Sequence, residues 1–218
     1  MTLFKSPPIF TMPRAIKYFA LLLSISLGAG CSSTLKTVTS AQADHPYKKI
    51  ALTVINTRGE LRDFSKKSFD SIVNPVFNNL KDMQIRTTIE DKFAGKLSSP
   101  GTSIIKSSDV FKIHENVSYA DYLDKLRSSG ADAVLIIGLS TSWGSQTSTT
   151  HHNDTVTESN PNFLFLYYLV DLKSAQQVWL GNDRAIYRAE NVSPGDVSKA
   201  LSKAGFVNKP GFSTLKTE

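Results

Sequence analysis

Ala131-Asp-Ala-Val-Leu-Ile-Ile-Gly138 is the stretch of sequence that decides the fold. From Ala133 to Ile137 it is apolar at every position, which is typical of a strand that is buried on both faces of a sheet. Lys48-Lys-Ile-Ala-Leu-Thr-Val-Ile-Asn56 is a second run of this kind. Because parallel sheets carry helices on both faces, two such strands predict parallel pairing in an α/β fold.

The segment between these strands contains patterns typical of both helices and strands. Apolar residues at helical spacing predict a helix over residues 70–82, with Pro75 near its start. Residues 83–90 alternate and predict a strand. Residues 92–115 have no clear period and are interpreted mainly as a solvated loop, with a short strand at 102–106. Ser118 and Gly130 bracket a helix that begins with a capping box and ends at a glycine.

The pattern changes after Gly138. Residues 139–147 alternate, residues 151–161 are polar and predict a hairpin loop, and residues 163–172 predict a strand. A turn at 173–176, a strand at 177–188 and a short helix at 193–204 follow. The sequence therefore predicts one α/β domain of two or three layers. Its mixed sheet has a parallel β-α-β-α-β core, an antiparallel meander and helices packed on it.

The N-terminus has the features of an export signal. Three basic residues, Lys5, Arg14 and Lys17, precede the apolar run Tyr18–Gly30. As a helix this run is about 20 Å long, which is short of the roughly 30 Å hydrocarbon core of a bilayer. Small residues end the run before Cys31, so we expect a signal peptide over residues 1–30 with cleavage between Gly30 and Cys31. Translation can begin at Met1 or at Met12.

Cys31 is the only cysteine of the chain. Leu27-Gly-Ala-Gly-Cys31 resembles a bacterial lipobox, with Gly28 at the position that usually holds leucine. Ordinary secretory cleavage also fits, but it would leave an unpaired thiol in an oxidising compartment, which is unusual. Lipid attachment at Cys31 is therefore expected. In such lipoproteins an aspartate after the cysteine signals retention in the inner membrane. Ser32 thus favours the periplasmic face of the outer membrane.

The composition of the remaining sequence predicts a tether, a globular domain and a tail. Residues 31–46 are mostly small and polar and predict a flexible tether; residues 47–206 form the globular domain, and residues 207–218 a frayed tail. The net charge of +6 includes the three basic residues of the signal. The remaining lysines and arginines are scattered, which argues against a nucleic-acid partner.

Candidate chemical groups are few. His151, His152 and Asp154 are of types that bind zinc or copper, but adjacent histidines on a hairpin favour a solvated loop. The chain has no Gly-x-Ser-x-Gly elbow and no phosphate-binding glycine motif. Trp143 and Trp179 are interpreted as core or hairpin-packing residues. We therefore expect neither an enzyme nor a bound cofactor.

Two phrases resemble a known group of proteins. Gly130-Ala-Asp-Ala-Val-Leu-Ile-Ile-Gly138 and Leu169-Val-Asp-Leu-Lys-Ser-Ala-Gln-Gln-Val-Trp179 are similar to motifs of envelope lipoproteins. The group includes the periplasmic domain of curli-secretion lipoproteins, penicillin-binding-protein activators and the N-terminal domain of the Tol–Pal β-propeller protein. In this group a glycine usually occupies the hairpin turn, where this chain has Gln176.

The expected lipid anchor, the flexible tether, the compact α/β domain and the absence of catalytic spacing together favour a membrane-anchored, non-catalytic binding or accessory module for another envelope protein or assembly. Two alternatives stay open. The first is a small-ligand or metal-binding lipoprotein that uses the hairpin at residues 145–160. The second is a subunit of an oligomeric secretion complex, for which pore formation would require residues 140–169 to insert into a membrane.

Overall fold

The computed structural model describes residues 35–42, 44–57, 61–77, 83–113, 115–151, 154–186 and 188–208. For residues 83, 84, 141–161 and 186 it describes the backbone alone. The export segment, Cys31 and Ser32 lie outside these ranges.

A six-stranded mixed sheet organises the domain. Its strands are β1 (Lys36–Thr39), β2 (Lys49–Asn56), β3 (Ser103–Lys106), β4 (Ala133–His151), β5 (Asp154–Asp171) and β6 (Gln176–Ile186). They lie in the order β1-β6-β5-β4-β2-β3. β2 pairs in parallel with β3 and β4, whereas β4, β5, β6 and β1 pair antiparallel to one another in succession. The predicted parallel core and antiparallel meander are thus confirmed.

Helices cover both faces of the sheet. They are α1 (Lys66–Ser68), a π-helical turn (Phe69–Val73), α2 (Asn74–Val76), α3 (Met83–Leu97), α4 (Ser107–Val110), α5 (Tyr119–Ser128) and α6 (Pro194–Lys203). Apolar residues of α3 and α6 belong to one core, and those of the π-helical turn and α5 to a second core. Successive residues of a strand point to opposite faces, so β2 and β4 supply both cores in turn. The domain is therefore three-layered.

The helix at α3 corrects a prediction. Residues 83–90 alternate weakly and were expected to form a strand, but Met83–Leu97 is helical. This helix packs into the core through Ile89, Phe93 and Leu97, which lie at i, i+4 and i+8 on one face. Most of this stripe lies beyond residue 90, and the buried Arg86–Glu90 ion pair flanks Ile89 in the sequence. The local alternation was therefore misleading.

The helix predicted at 70–82 begins and ends earlier. Ser65 forms a capping box with Ser68, which starts the helical segment at Lys66. A π-helical turn precedes Pro75, and the helix ends at Val76 because Phe77 is extended. Residues 78–82 lie outside the described part of the chain.

Two polar segments are strands where the composition predicted a tether and a loop. Lys36–Thr39 pairs with residues 179–182 of β6, so this part of the predicted tether 31–46 is an edge strand. Residues 151 and 154–161, predicted as a hairpin loop, continue β4 and β5. Neither segment is apolar, because a strand outside the core is held by backbone hydrogen bonds and requires no buried side chains.

The predicted C-terminal helix is confirmed as α6, but the domain continues past it. Val207, which the composition assigned to the frayed tail, is only 3% exposed, as is expected of a core residue. Phe206 beside it stacks on Tyr47. Aromatic stacking thus ties the end of α6 to the start of β2.

The β5–β6 turn corrects the assignment at Gln176. The residue in the left-handed region is Ala175, with φ of 55°, while Gln176 is the first residue of β6. The position that favours glycine is therefore Ala175. A left-handed alanine costs about 1–2 kcal/mol because its Cβ approaches the following carbonyl oxygen.

We expect Ala175→Gly to raise the free energy of unfolding of the mature Cys31→Ser chain by about 1 kcal/mol, and its Tm by about 2–4 °C. Glycine adopts positive φ without the steric cost. Gln176→Gly is the control and should destabilise, since glycine weakens a strand. A loss of stability in both variants would contradict the assignment of the turn. Thermal and urea unfolding measure both.

Candidate functional site

The most unusual feature of the structure is a two-stranded ribbon that projects from the sheet. β4 and β5 pair without interruption from Ala133 and Asp171 to His151 and Asp154, apart from one bulge. β2 stops pairing with β4 at Leu139, and β6 stops pairing with β5 at Asn162. We define the ribbon as residues 143–151 of β4 and 154–161 of β5. It extends about 27 Å beyond the sheet.

Both outer edges of the ribbon are open among the described residues. No strand pairs with the ribbon except its own partner. Unpaired N–H and C=O groups on a strand edge can accept another strand, and a two-stranded hairpin alone is marginally stable in water. The ribbon is therefore the part of the described chain that is best arranged to bind a partner through its backbone.

The base of the ribbon is built by two residues with special backbone properties. The register shifts between Trp143 and Ser145, so Gly144 forms a β-bulge. Bulges generally bend a strand and increase its twist, and this bulge lies where the ribbon leaves the sheet. Pro161, opposite Trp143, has no amide hydrogen and lies just beyond the last pair of β5 with β6. The pairing of β5 with β6 thus ends next to Pro161, the residue of β5 that has no backbone N–H to donate.

The tip of the ribbon contains two of the three proposed metal ligands. Backbone pairing places His151 opposite Asp154, while His152 lies outside the described residues. Among the residues whose placement is described, no group of three histidine, cysteine, aspartate or glutamate side chains is arranged to hold a metal ion. A metal site at the tip stays a prediction.

A cavity of about 550 Å³ lies at the opposite end of the sheet, between the start of β2 and the β5–β6 turn. Asp171 accepts hydrogen bonds from the Tyr47 hydroxyl at 3.0 Å and from the Ser174 amide at 2.7 Å. Asp132 accepts from the backbone N–H groups of Lys48 and Lys49, both at 2.9 Å. These carboxylates therefore connect loops to the sheet.

Hydrogen bonding decides the ionisation of Asp171. Partial burial disfavours the charged carboxylate, but the hydrogen bonds from Ser174 and Tyr47 outweigh it and hold the pKa of Asp171 below its usual value. For Tyr47, burial and the nearby charge of Asp171 raise the pKa of the hydroxyl well above its usual range. Tyr47 thus remains a proton donor to Asp171 at physiological pH.

A buried ion cluster is the polar group that sequence reasoning missed. Arg86 donates from Nε to Glu90 Oε1 at 3.2 Å and from Nη2 to Ser107 Oγ at 2.7 Å. Ser107 and Ser108 donate to the two oxygens of Glu90 at 2.7 and 3.0 Å. The Arg86 guanidinium also lies 5.6 Å from the centre of the Phe77 ring. Glu90 is fully buried.

The spacing of Arg86 and Glu90, i and i+4, was the available signal. On a helix this spacing brings the two side chains together, whereas on a strand it separates them by about 13 Å. The cluster joins α3 to the end of β3 and the start of α4. Because both Glu90 oxygens accept hydrogen bonds within the cluster, the cluster holds these elements together.

The other predicted positions divide between the core and the ribbon. Trp179 is 1% exposed and packs in the core, as predicted. Trp143 lies at the ribbon base by its backbone position. Within the described ranges, no helix is long and apolar enough to cross a bilayer.

Comparison with solved structures finds similar proteins from bacteria. No family model matches the chain. The PelC dodecamer from Paraburkholderia phytofirmans has 15% identity and a TM-score of 0.40, with 79% of this chain and 97% of that chain covered. Lipoprotein GNA1162 from Neisseria meningitidis has 18% identity and a TM-score of 0.35, covering 71% and 93%.

The LpoB C-terminal domain from Escherichia coli has 13% identity and a TM-score of 0.27, covering 76% of this chain and 93% of that chain. LpoB is a penicillin-binding-protein activator, so the similar structures include a member of the group that the sequence phrases resemble. One curated relative, the human collagen alpha-5(VI) chain, is 23% identical over 177 residues. These residues are 78% of this chain but span only 6% of that protein.

We expect Glu90→Gln and Arg86→Met each to lower the free energy of unfolding by about 3 kcal/mol, because each leaves a buried partner uncompensated. The double variant Arg86→Met/Glu90→Leu should lose less than the sum of the two. Lys66→Met, which removes the exposed pair with Asp70, is the control and should change stability by under about 1 kcal/mol. Additive losses in urea unfolding would contradict the coupling.

The pKa of Asp171 gives a second test. Its lowered pKa means that its ionised form stabilises the fold above the pKa of the unfolded state, and that this contribution is lost as pH falls through the folded pKa. Tyr47→Phe removes one donor, so the pKa of Asp171 should rise toward its usual value in an NMR titration of the carboxyl carbons. Tyr168→Phe, whose hydroxyl donates to Leu61 O instead, should leave it unchanged. An equal pKa in all three proteins would refute the role of Tyr47.

Proposed function

We propose that this chain is a lipid-anchored accessory protein of the bacterial envelope that acts by binding rather than by catalysis. The ribbon carries the proposal: its backbone extends beyond the sheet with both edges open. A partner strand can pair with such an edge, and pockets for its side chains are not required for affinity. The partner we favour is another envelope protein.

The buried polar groups support a binding role. Glu90 is committed to Arg86, Ser107 and Ser108, and Thr53 shares a hydrogen bond of 2.8 Å with the buried hydroxyl of Tyr122. These contacts hold layers of the domain together. Ser107 and Ser108 do lie beside the Glu90 carboxylate, but Glu90 and Ser107 are fully buried, so this pair offers no accessible nucleophile to a substrate.

Cys31 supplies the anchor in this proposal. A lipidated cysteine carries a diacylglycerol thioether and an N-terminal acyl chain, and two or more chains anchor a protein stably. Ser32 favours the outer membrane, with the domain on its periplasmic face.

We expect intact-mass analysis of the membrane-extracted protein to show a chain that begins at Cys31 and carries these lipid groups. Cys31→Ser should give an unacylated chain that separates from the membrane fraction. A wild-type chain that begins at another residue, or carries no lipid, would contradict the anchor.

A ribbon truncation tests the binding element. Residues 146–159 are replaced by Asn-Gly, which joins the register partners Ser145 and Asn160 through a two-residue hairpin turn. Cross-linking in intact envelopes should capture partner proteins with the wild type and lose most of that yield with the truncated chain. The matched control is Lys199→Ala, an exposed change on α6.

If the truncated chain cross-links the same partners with the same yield, the ribbon is not the binding element. If wild-type protein captures nothing above Cys31→Ser, the accessory role itself is refuted.

A further inference from the structure

The first residue of β1 and the ribbon tip lie toward the same end of the sheet. β1 runs antiparallel to β6, and β6 runs antiparallel to β5, so β1 and β5 run in the same direction. The first residue of β1 therefore lies toward the end of the sheet from which β5 begins. β5 begins at the ribbon tip, and β1 begins five residues after Cys31. A lipid on Cys31, as proposed above, would therefore be joined to the domain through the end of β1 that faces the ribbon tip.

The reach of the anchor is shorter than the ribbon. Lys36 is level with Leu166, because both pair with Asn182. The tip residue Asp154 lies twelve residues beyond Leu166, which is about 40 Å along the strand. Five residues of fully extended chain place Cys31 at most about 18 Å from Lys36. Measured along the strands, the tip therefore extends about 20 Å farther than Cys31 can.

An upright domain would consequently place the end of the ribbon inside the bilayer. A single hairpin is unsuited to that position, because its open edges would leave backbone groups without hydrogen bonds in hydrocarbon. Its sequence also lacks the alternation of apolar residues that membrane strands have. Apart from Pro161, Trp143 and Val156 are the only large apolar residues in the ribbon.

We propose that the sheet is tilted and that the ribbon lies along the membrane surface, among the lipid headgroups. This inference rests on the proposed acylation of Cys31. The bulge at Gly144 lies where the ribbon leaves the sheet, and β-bulges generally bend the strand that contains them. The hydroxyl-rich sequence of the ribbon suits hydrated phosphate and glycerol groups. On β1, Val38 is 63% exposed, the largest exposure among the large hydrophobic side chains described. It lies seven residues from Cys31, within reach of the same surface.

This orientation determines how a partner approaches. One face of the ribbon contacts the headgroups, and its two open edges lie in the plane of the membrane surface. A protein that pairs with these edges must therefore approach along the membrane.

Depth-dependent fluorescence quenching tests the orientation. The acylated full chain is placed in vesicles of phosphatidylethanolamine and phosphatidylglycerol, with a polarity-sensitive fluorophore on Thr149→Cys. Acylation consumes the Cys31 thiol, so the introduced cysteine is the only reactive one. The matched control is Lys173→Cys, an exposed site in the turn at the opposite end of the sheet. Flotation and intact mass of the same samples establish that Cys31 is acylated.

We expect a quencher on the lipid headgroup to remove most of the fluorescence at residue 149 and little at residue 173, and a quencher in mid-chain to affect neither. Headgroup quenching at residue 149 that is no stronger than at residue 173 would contradict the proposed orientation, and weaker quenching there would show that the ribbon points away from the membrane. Stronger quenching at residue 149 from mid-chain would show insertion. Either result overturns this inference while leaving the anchor intact, whereas an unacylated Cys31 refutes the anchor itself and the inference with it.

Discussion

The antiparallel pairing of β4 with β5 is the interaction on which the rest of the structure depends. It begins at Ala133 and Asp171 and continues to His151 and Asp154. Inside the sheet, β2 and β6 flank this pair and helices cover both of its faces, so Ile136 and Tyr168 are fully buried. Outside the sheet, the same hydrogen bonds continue without neighbours. One pairing thus provides both the rigid centre of the domain and the element that extends from it.

Burial explains which strands the sequence predicted. The central residues of β2 and β4 are apolar because helices cover both faces of the sheet there. Side chains on both faces must therefore be apolar, and the sequence shows this directly. β1 and the ribbon are outside the core, so their residues are free of that requirement. Lys36–Thr39 is entirely exposed, and the ribbon is rich in serine and threonine. Pairing through the backbone leaves little trace in a hydrophobic pattern, and both segments were therefore predicted as tether or loop.

Two further differences have local causes. The first half of α3 carries the buried Arg86–Glu90 pair, and most of its apolar stripe lies in the second half. The sequence analysis therefore assigned the two halves to a strand at 83–90 and a loop from residue 92, and the helical period was missed. In the β5–β6 turn, side-chain identity did not reveal which residue is left-handed, because Ala175 adopts a conformation that usually belongs to glycine. The helix at Tyr119–Ser128, by contrast, was predicted correctly, since its cap, its buried stripe and its terminal glycine all agree.

The candidate site differs from a catalytic centre in the kind of group that it offers. Catalysis needs side chains that converge, whereas the ribbon offers backbone donors and acceptors along two edges. The polar side chains that do converge, at Glu90 and at Asp171, hold secondary-structure elements together. The anchor then adds a constraint that neither sequence nor fold shows alone. If Cys31 is acylated as proposed, a short link to β1 and a longer ribbon that extends toward the same end of the sheet would bring the open edges to the membrane.

Amide hydrogen exchange of the acylated chain in vesicles, compared with the Cys31→Ser chain in solution, tests the central claim most directly. Amides of residues 164–170 should be protected from exchange in both samples, because they belong to the buried sheet. Amides of residues 145–151 and 155–160 should exchange readily in solution and become protected at the membrane with a bound partner or with lipid. Equal and strong protection of the ribbon in both samples would show that it is stable without a binding surface and would contradict the account.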